Sequence, residues 1–258
     1  MDPNLIEELD ARYPPKKSAT IDPETRVEMG RIRATQLLKA IGRWDRNRLR
    51  DFLELGCGNG AVCSALQTIG RNATGIDLRT EEFDEAIIRR GVSLRKMDVA
   101  RLEFRENSFD YVFSFDGLEH YAEPELTLDE ASRVLRPYGF LYCQFGPLYN
   151  SAKGLHSSRK FAVPYGHHLF PEDVIQKFCR NKGRGPVEFT DVNRWSLRKF
   201  RDLWSQKADR FDRIFYWEEH FVKNVDLIEK HATCFRSKVN DFAELTVSYI
   251  HGLFRKKK

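Results

Sequence analysis

A chain of 258 residues with 41% apolar content is long enough to bury one large core, and no apolar run approaches the ~18–20 residues of a membrane-spanning helix. Its net charge of +5 is mild for that length, so bulk charge alone does not single out a nucleic-acid partner, although the basic tail "FRKKK" offers an exposed cationic end. Five cysteines, an odd count without a C-x-x-C pair, argue against a disulfide framework and a structural zinc site, and with an acidic, polar N-terminus in place of a secretory signal they predict a reducing, cytoplasmic setting.

Residues 1–23, with a proline pair and "PKKS", read as a flexible lead-in, and 24–258 as a single domain. From residue 24, "ETRVEMGRIRATQLLKAIG" reads as a helix with Val27, Ala34, Leu38 and Ile41 on one face and Gly42 as its stop. "DFLEL" is a short apolar strand. After it come three glycines, then a helix with Val62, Ala65, Leu66 and Ile69 at helical spacing. "ATGIDL" is a second strand, "EEFDEAIIRRG" a helix, "VSLRKMDV" a third strand and "FDYVFSF" a fourth. "PELTLDEASRVLR" is a helix with Pro124 in its first turn, and "GFLYCQFG" a fifth strand. The Arg- and aromatic-rich final third predicts a helix near 196–207, a strand near 211–217, an irregular helical stretch and a last strand at "ELTVSYIHGLF".

Strands that alternate with helices of roughly 10–14 residues imply β-α-β units and a mostly parallel sheet covered on both faces. Right-handed crossovers make it doubly wound, so the expected fold is an α/β, Rossmann-like sheet of seven strands. Ligands of such sheets bind beyond the carboxyl ends of the strands. Acids stand at those ends: Glu54 after the first strand, Asp77 after the second, Asp98 after the third and Asp116 after the fourth. An acid at a strand end also serves simply as a helix cap, so the four count together rather than singly.

The stretch "DFLELGCGNG" places Gly56, Gly58 and Gly60 where strand turns into helix. No Lys-Ser/Thr pair follows, which excludes a Walker-type phosphate loop, and the third glycine comes one residue too soon for the dinucleotide fingerprint. The remaining class is S-adenosylmethionine. Its methionine arm would lie on the glycine loop with Glu54 near its ammonium, its ribose would meet Asp77, about 20 residues on, and its adenine would meet Asp98.

The ordered set "LELGCGNG", "GIDLR", "MDVARLEF", "NSFDYVFSFDGLEHY" and "ASRVLRPYGFLYCQF" resembles the class I S-adenosylmethionine-dependent methyltransferases, most closely the small-molecule branch of the methyltransferase type 11 kind, over about residues 30–147. The resemblance implies that Glu54, Gly56, Cys57 and Gly58 line the methionine part, that Asp77 and Leu78 hold the ribose, that Asp98 and Val99 meet the adenine, and that Phe115 and Asp116 lie under the sulfonium. Two positions depart from the pattern. Tyr138 stands where the family often has a second glycine, and Cys57 where small or polar residues are usual, although cysteine is accepted there.

Methyl transfer from a sulfonium is an in-line displacement that needs alignment and exclusion of water, and no metal. A hydroxyl or protonated amine acceptor also benefits from a base. The candidates are Glu119, His120, Tyr165, His167 and His168, with His120, His167 and His168 foremost; in the resembling family the histidine at 120 is common and often only forms a wall. Segments 148–170 and 180–240 are expected to form a helical and loop cover over the carboxyl edge of the sheet at the acceptor site. Lys153, Arg159 and Lys160 allow an anionic acceptor or a merely solvated loop. The expected activity is therefore transfer to O, or to N, of a small-molecule acceptor, including glycan-type or lipid-linked ones. The alternatives are a nucleic-acid methyltransferase, which lacks the Asp/Asn-Pro-Pro-aromatic run here, and a non-catalytic protein that binds the cofactor.

Overall fold

Local chemistry sets the boundaries of the elements. In the computed structural model, which describes all residues except 1–3, 18–21, 43, 45–47 and 237, helix α1 spans Leu5–Arg12 and α2 spans Pro23–Ile41. Pro23 occupies the first turn of α2, and the Asp22 carboxylate accepts the Thr25 amide at 2.8 Å. There follow β1 (Asp51–Leu55), α3 (Ala61–Thr68), β2 (Asn72–Asp77), α4 (Glu85–Arg89), β3 (Ser93–Lys96), β4 (Phe109–Phe115), α5 (Pro124–Val134) and β5 (Leu135–Phe145). The rest is α6 (Gly166–Leu169), α7 (Glu172–Asn181), α8 (Leu197–Gln206), β6 (Phe211–His220), α9 (Asp226–Lys230), α10 (Phe242–Thr246) and β7 (Val247–Lys256).

The strands form one seven-stranded sheet in the order β3-β2-β1-β4-β5-β7-β6. The pairs β1–β2, β1–β4, β2–β3 and β4–β5 are parallel. β6 and β7 run in opposite directions: the Lys257 amide donates to the Arg210 carbonyl and the Phe221 amide to the Thr246 carbonyl. The chain moves outward from β1 to β3 and then returns to lay β4 beside β1, so the switch point lies at the carboxyl ends of β1 and β4. The expected α/β architecture is the observed one.

Three expectations shift in detail. The helix read over 81–91 shrinks to α4, because Asp84 caps at the Ala86 amide (2.8 Å) and a single 3-10 turn, Thr80–Glu82, precedes it. The last strand starts at Val247, because Asp241 accepts the Ala243 amide (3.0 Å) and begins α10 instead. In α2 the buried face is Gly30, Ala34, Leu37 and Ile41, whereas Val27 is exposed. Gly30 is required there: a Cβ would lie 2.5 Å from the Ala61 carbonyl oxygen, so α2 and α3 approach backbone to backbone.

By its contacts the chain divides into two units, one comprising 1–19, 146–202 and 218–250, the other 20–145, 203–217 and 251–258. Of the segments expected to cover the acceptor, 148–170 lies in the first unit and 180–240 is divided between the two. The second unit's core is built where α2 and α3 meet β1 and β4, with Phe52 stacked on Tyr111 (5.2 Å, 12°). The first unit's core gathers Ile6 and Leu9 of α1 with Phe161, Tyr165, Phe178 and Phe235. Part of the stretch expected as a loose lead-in is thus a helix with a buried apolar face, while residues 1–3 and 18–21 of it lie outside the described residues. No helix among the described residues is long and apolar enough to cross a membrane.

Within the first unit a two-pronged ion pair fixes α1: Arg184 donates to both Asp10 carboxylate oxygens, at 2.5 and 2.7 Å, and Asp10 is buried. Arg184→Ala leaves that carboxylate unpaired and is expected to lower stability by about 2–3 kcal/mol. Chemical denaturation checks this, and an unchanged midpoint would remove the pair from the account of why α1 is held.

Candidate functional site

β1 runs into its turn with alternate residues on opposite faces, so Phe52 and Glu54 point to the side of α2 and α3. The turn is then set by one acceptor. The Ile76 carbonyl at the end of β2 takes both the Gly56 and the Cys57 amides, each at 2.9 Å. Gly56 and Gly60 hold positive φ angles of 70° and 82°, the region that suits glycine. The chain therefore leaves the sheet sharply and opens a cavity of about 490 Å³ above the loop. That volume falls in the range of small-molecule sites.

Glu54, Gly56, Cys57 and Gly58 line this cavity, as the sequence predicts. Glu54 is buried, and its Oε2 accepts the Cys63 thiol at 3.1 Å. Burial pushes its carboxyl up to about 8, against the pull of the Arg33 guanidinium. Burial, reinforced by the neighbouring Glu54 and Asp77 charges, also pushes the Cys57 thiol well above its usual range. The other predicted residues are not in the cavity wall. Asp77 is tied to it: one carboxylate oxygen accepts the Gly58 amide and the other the Arg79 amide, both at 3.0 Å, and each oxygen keeps a spare lone pair. Leu78 beside it is exposed. Asp98 accepts the Ala100 amide at 2.9 Å, which is turn-capping, and Val99 next to it is half-buried. Phe115 is buried, with the Arg33 guanidinium 4.8 Å above its ring. Asp116 has a positive φ of 49° and pairs with Arg33.

Arg33 and Arg26, both cavity-lining, escaped the sequence reading because they sit on α2, outside every motif. The helical period could have found them: with Gly30 marking the face against α3, Arg26 and Arg33 stand a turn away on either side.

The three histidines differ. His120 follows β4 in the turn closed by its own amide on the Gly117 carbonyl (2.8 Å); its ring is 4.0 Å from the carboxylate of the buried Glu119. His167 and His168, in the first unit, are packed ring to ring at 4.3 Å, and His167 also lies 4.7 Å from Tyr149. Burial holds His167 well below the ordinary imidazole range and lowers His168 to about 4, so both are neutral at pH 7. Tyr165 bonds the Leu245 carbonyl at 3.1 Å, and burial pushes its phenol up to about 12. Of the loop cations, Lys160 is held by the Pro186 carbonyl and Lys153 lies over the Phe221 ring at 4.6 Å.

The donor set suits a zwitterionic ligand: a buried carboxyl for an ammonium, guanidinium groups for a carboxylate, and Asp77 for hydroxyls. S-adenosylmethionine has these groups. An ammonium in this cavity would need Glu54 ionised, and with the carboxyl raised to about 8 binding of the ammonium at neutral pH would release a proton. S-adenosylhomocysteine affinity is expected to rise with pH, by up to about tenfold per unit between pH 6 and 8. Calorimetry across that range checks it, and Glu54→Gln should flatten the dependence; a flat wild-type curve would contradict the ionised role of Glu54.

A family profile described as a methyltransferase domain matches residues 53–143, from β1 into β5. The 27-O-demethylrifamycin SV methyltransferase of Amycolatopsis mediterranei (strain S699) is 26% identical over 219 residues, 81% of this chain and 76% of that protein. A ubiquinone biosynthesis O-methyltransferase of Colwellia psychrerythraea (strain 34H) is 32% identical over 108 residues, 40% of this chain and 43% of that protein, so the alignment spans less than half of that relative. Among solved structures, the phosphoethanolamine N-methyltransferase 2 of Haemonchus contortus in complex with S-adenosyl-L-methionine superposes with a TM-score of 0.54, covering 88% of this chain and 53% of that one. At 17% identity this likeness concerns the fold.

Proposed function

Because the chain belongs to the class I S-adenosylmethionine-dependent methyltransferases, we propose that it methylates a hydroxyl oxygen of a small-molecule acceptor. The observation that carries the reading is the cavity at the end of β1, where a buried carboxyl, a guanidinium and the glycine loop face one space and Asp77 is bonded to the loop itself. Similarity over 219 residues to an enzyme named for an O-demethylated rifamycin supports oxygen over nitrogen.

In this reading Glu54 and Arg33 anchor the two charged ends of the methionine moiety, and Asp77 turns its spare lone pairs to the ribose hydroxyls. Asp98 and Val99 flank the adenine, Leu78 packs beside the ribose, and Phe115 and Asp116 form the wall nearest the reacting centre. When bound, S-adenosylmethionine supplies an electrophilic methyl whose leaving thioether is neutral. The protein then has to hold the acceptor oxygen in line, keep water out and remove the hydroxyl proton. We assign proton removal to His120, whose ring is partly open to solvent beside Glu119, rather than to His167 or His168, whose rings are packed away and poorly basic.

The test is label transfer from methyl-labelled cofactor to a panel of hydroxylated acceptors that includes glycan-type, lipid-linked and anionic members, with amines and RNA alongside. Label appearing as an ether on a hydroxylated member is the expected result; label confined to amines or RNA would remove the oxygen assignment. Asp77→Ala should weaken S-adenosylhomocysteine binding by more than about tenfold, since it loses the ribose contact and frees the Gly58 amide; unaltered affinity in calorimetry would remove Asp77 from the site.

His120→Ala is expected to reduce kcat by about a hundredfold while leaving product affinity within about twofold. Steady-state kinetics at saturating acceptor decides it, and a wild-type kcat would make the imidazole a wall residue only.

A further inference from the structure

The ladder between β1 and β4 ends at the Glu54–Phe113 pair. One residue farther on, the strands diverge toward the glycine loop and toward the turn that carries Asp116 and His120. The gap is filled by a side chain from that turn. The Tyr121 hydroxyl lies 2.8 Å from the Leu55 carbonyl and 2.8 Å from Ser114 Oγ. A phenol has one proton, and a carbonyl can only accept it. Tyr121 therefore donates to Leu55, and the Ser114 hydroxyl donates to Tyr121. Burial keeps the phenol protonated, as this arrangement needs.

The fit is tight on both sides. A Cβ at Gly56 would stand 2.8 Å from the Tyr121 hydroxyl, and one at Gly117 would stand 2.4 Å from that hydroxyl and 2.4 Å from Ser114 Oγ. Gly56 is the first residue of the cavity-lining loop, and Gly117 directly follows Asp116. The one phenol thus orients the Leu55–Gly56 peptide, from which the loop departs, and pins the turn that bears His120.

The geometry points to Tyr121 as a positioning residue for methyl transfer: its hydroxyl replaces the missing rung between β1 and β4 and so sets the spacing between the cofactor loop and the His120 turn. This role rests on the cofactor reading given above. Tyr121 touches neither reactant in it and acts through Gly56 and through the turn.

Tyr121→Phe keeps the ring and removes the rung. Compared with wild type well below both melting temperatures, it is expected to raise the S-adenosylhomocysteine Kd about tenfold and to lower kcat, with the acceptor KM within about twofold. A lowered Tm together with a Kd and kcat within twofold of wild type would overturn the role and leave Tyr121 as core packing. Ser114→Ala, which keeps the bond to Leu55 and removes only the second contact, is expected to give a smaller rise in Kd, about threefold, and this variant decides the matter if Tyr121→Phe does not fold; an unchanged Kd in it would overturn the two-bond arrangement. A wild-type protein that binds no S-adenosylhomocysteine would overturn the cofactor reading and this role with it, an outcome distinct from normal wild-type binding with an indifferent Tyr121→Phe.

Discussion

One carbonyl sets the site. Ile76, at the end of β2, receives two successive amides from Gly56 and Cys57, and this double acceptance turns the chain out of the sheet. A strand that continued straight would bury Glu54 among apolar neighbours with no cavity before it, at the cost of an unpaired carboxyl. The sharp exit instead leaves Glu54 at the cavity floor, bonded to Cys63, and brings the Gly58 amide onto Asp77 from the neighbouring strand. Two parallel strands thereby share one cavity-side surface, at the place where the strand order changes direction and where sheets of this kind take their ligands.

Two of the charged groups around that surface have partners without the ligand. Arg33 reaches over Phe115 to Asp116, and Asp77 accepts two backbone amides. Such satisfaction is what a low-dielectric site requires, since a lone buried charge is costly. A zwitterion entering the cavity would exchange these internal pairings for its own, with little net charge to desolvate. The site is in this sense organised before binding, which limits the ordering cost of association.

Much of this was legible in the chain itself, and the reasons are local. The glycine spacing after "DFLEL" and the acids after successive apolar runs identify strand ends, because a parallel strand buried on both faces must be apolar until it emerges. The start of α5 was readable from Pro124, where covalent geometry leaves little choice, whereas α2, read from residue 24, begins at Pro23 behind the Asp22 cap. What sequence spacing does not encode is contact across the fold. Arg33 lies on a helix before the first motif, yet it reaches Asp116, eighty-three positions later. α1 reads as part of a loose leader because of the proline pair and "PKKS" that follow it; Ile6 and Leu9 become meaningful only as members of the cluster that holds Phe161 and Phe178. The histidine pair at 167–168 illustrates the converse, since a loop with proline and glycine suggested chemistry where burial lowers the basicity of both rings.

Cys57 brings a thiol into the cavity wall. A sulfur atom in the wall of a cavity suited to a methyl donor invites self-alkylation, because the thiolate is the strongest nucleophile among the side chains around it. Here the same burial that shapes the cavity, with the nearby Asp77 carboxylate, pushes that thiol well above its usual range. If this cavity takes the sulfonium, as proposed, the burial around it would also quench the side chain most apt to intercept the methyl, and a cysteine could stand in the loop without being alkylated.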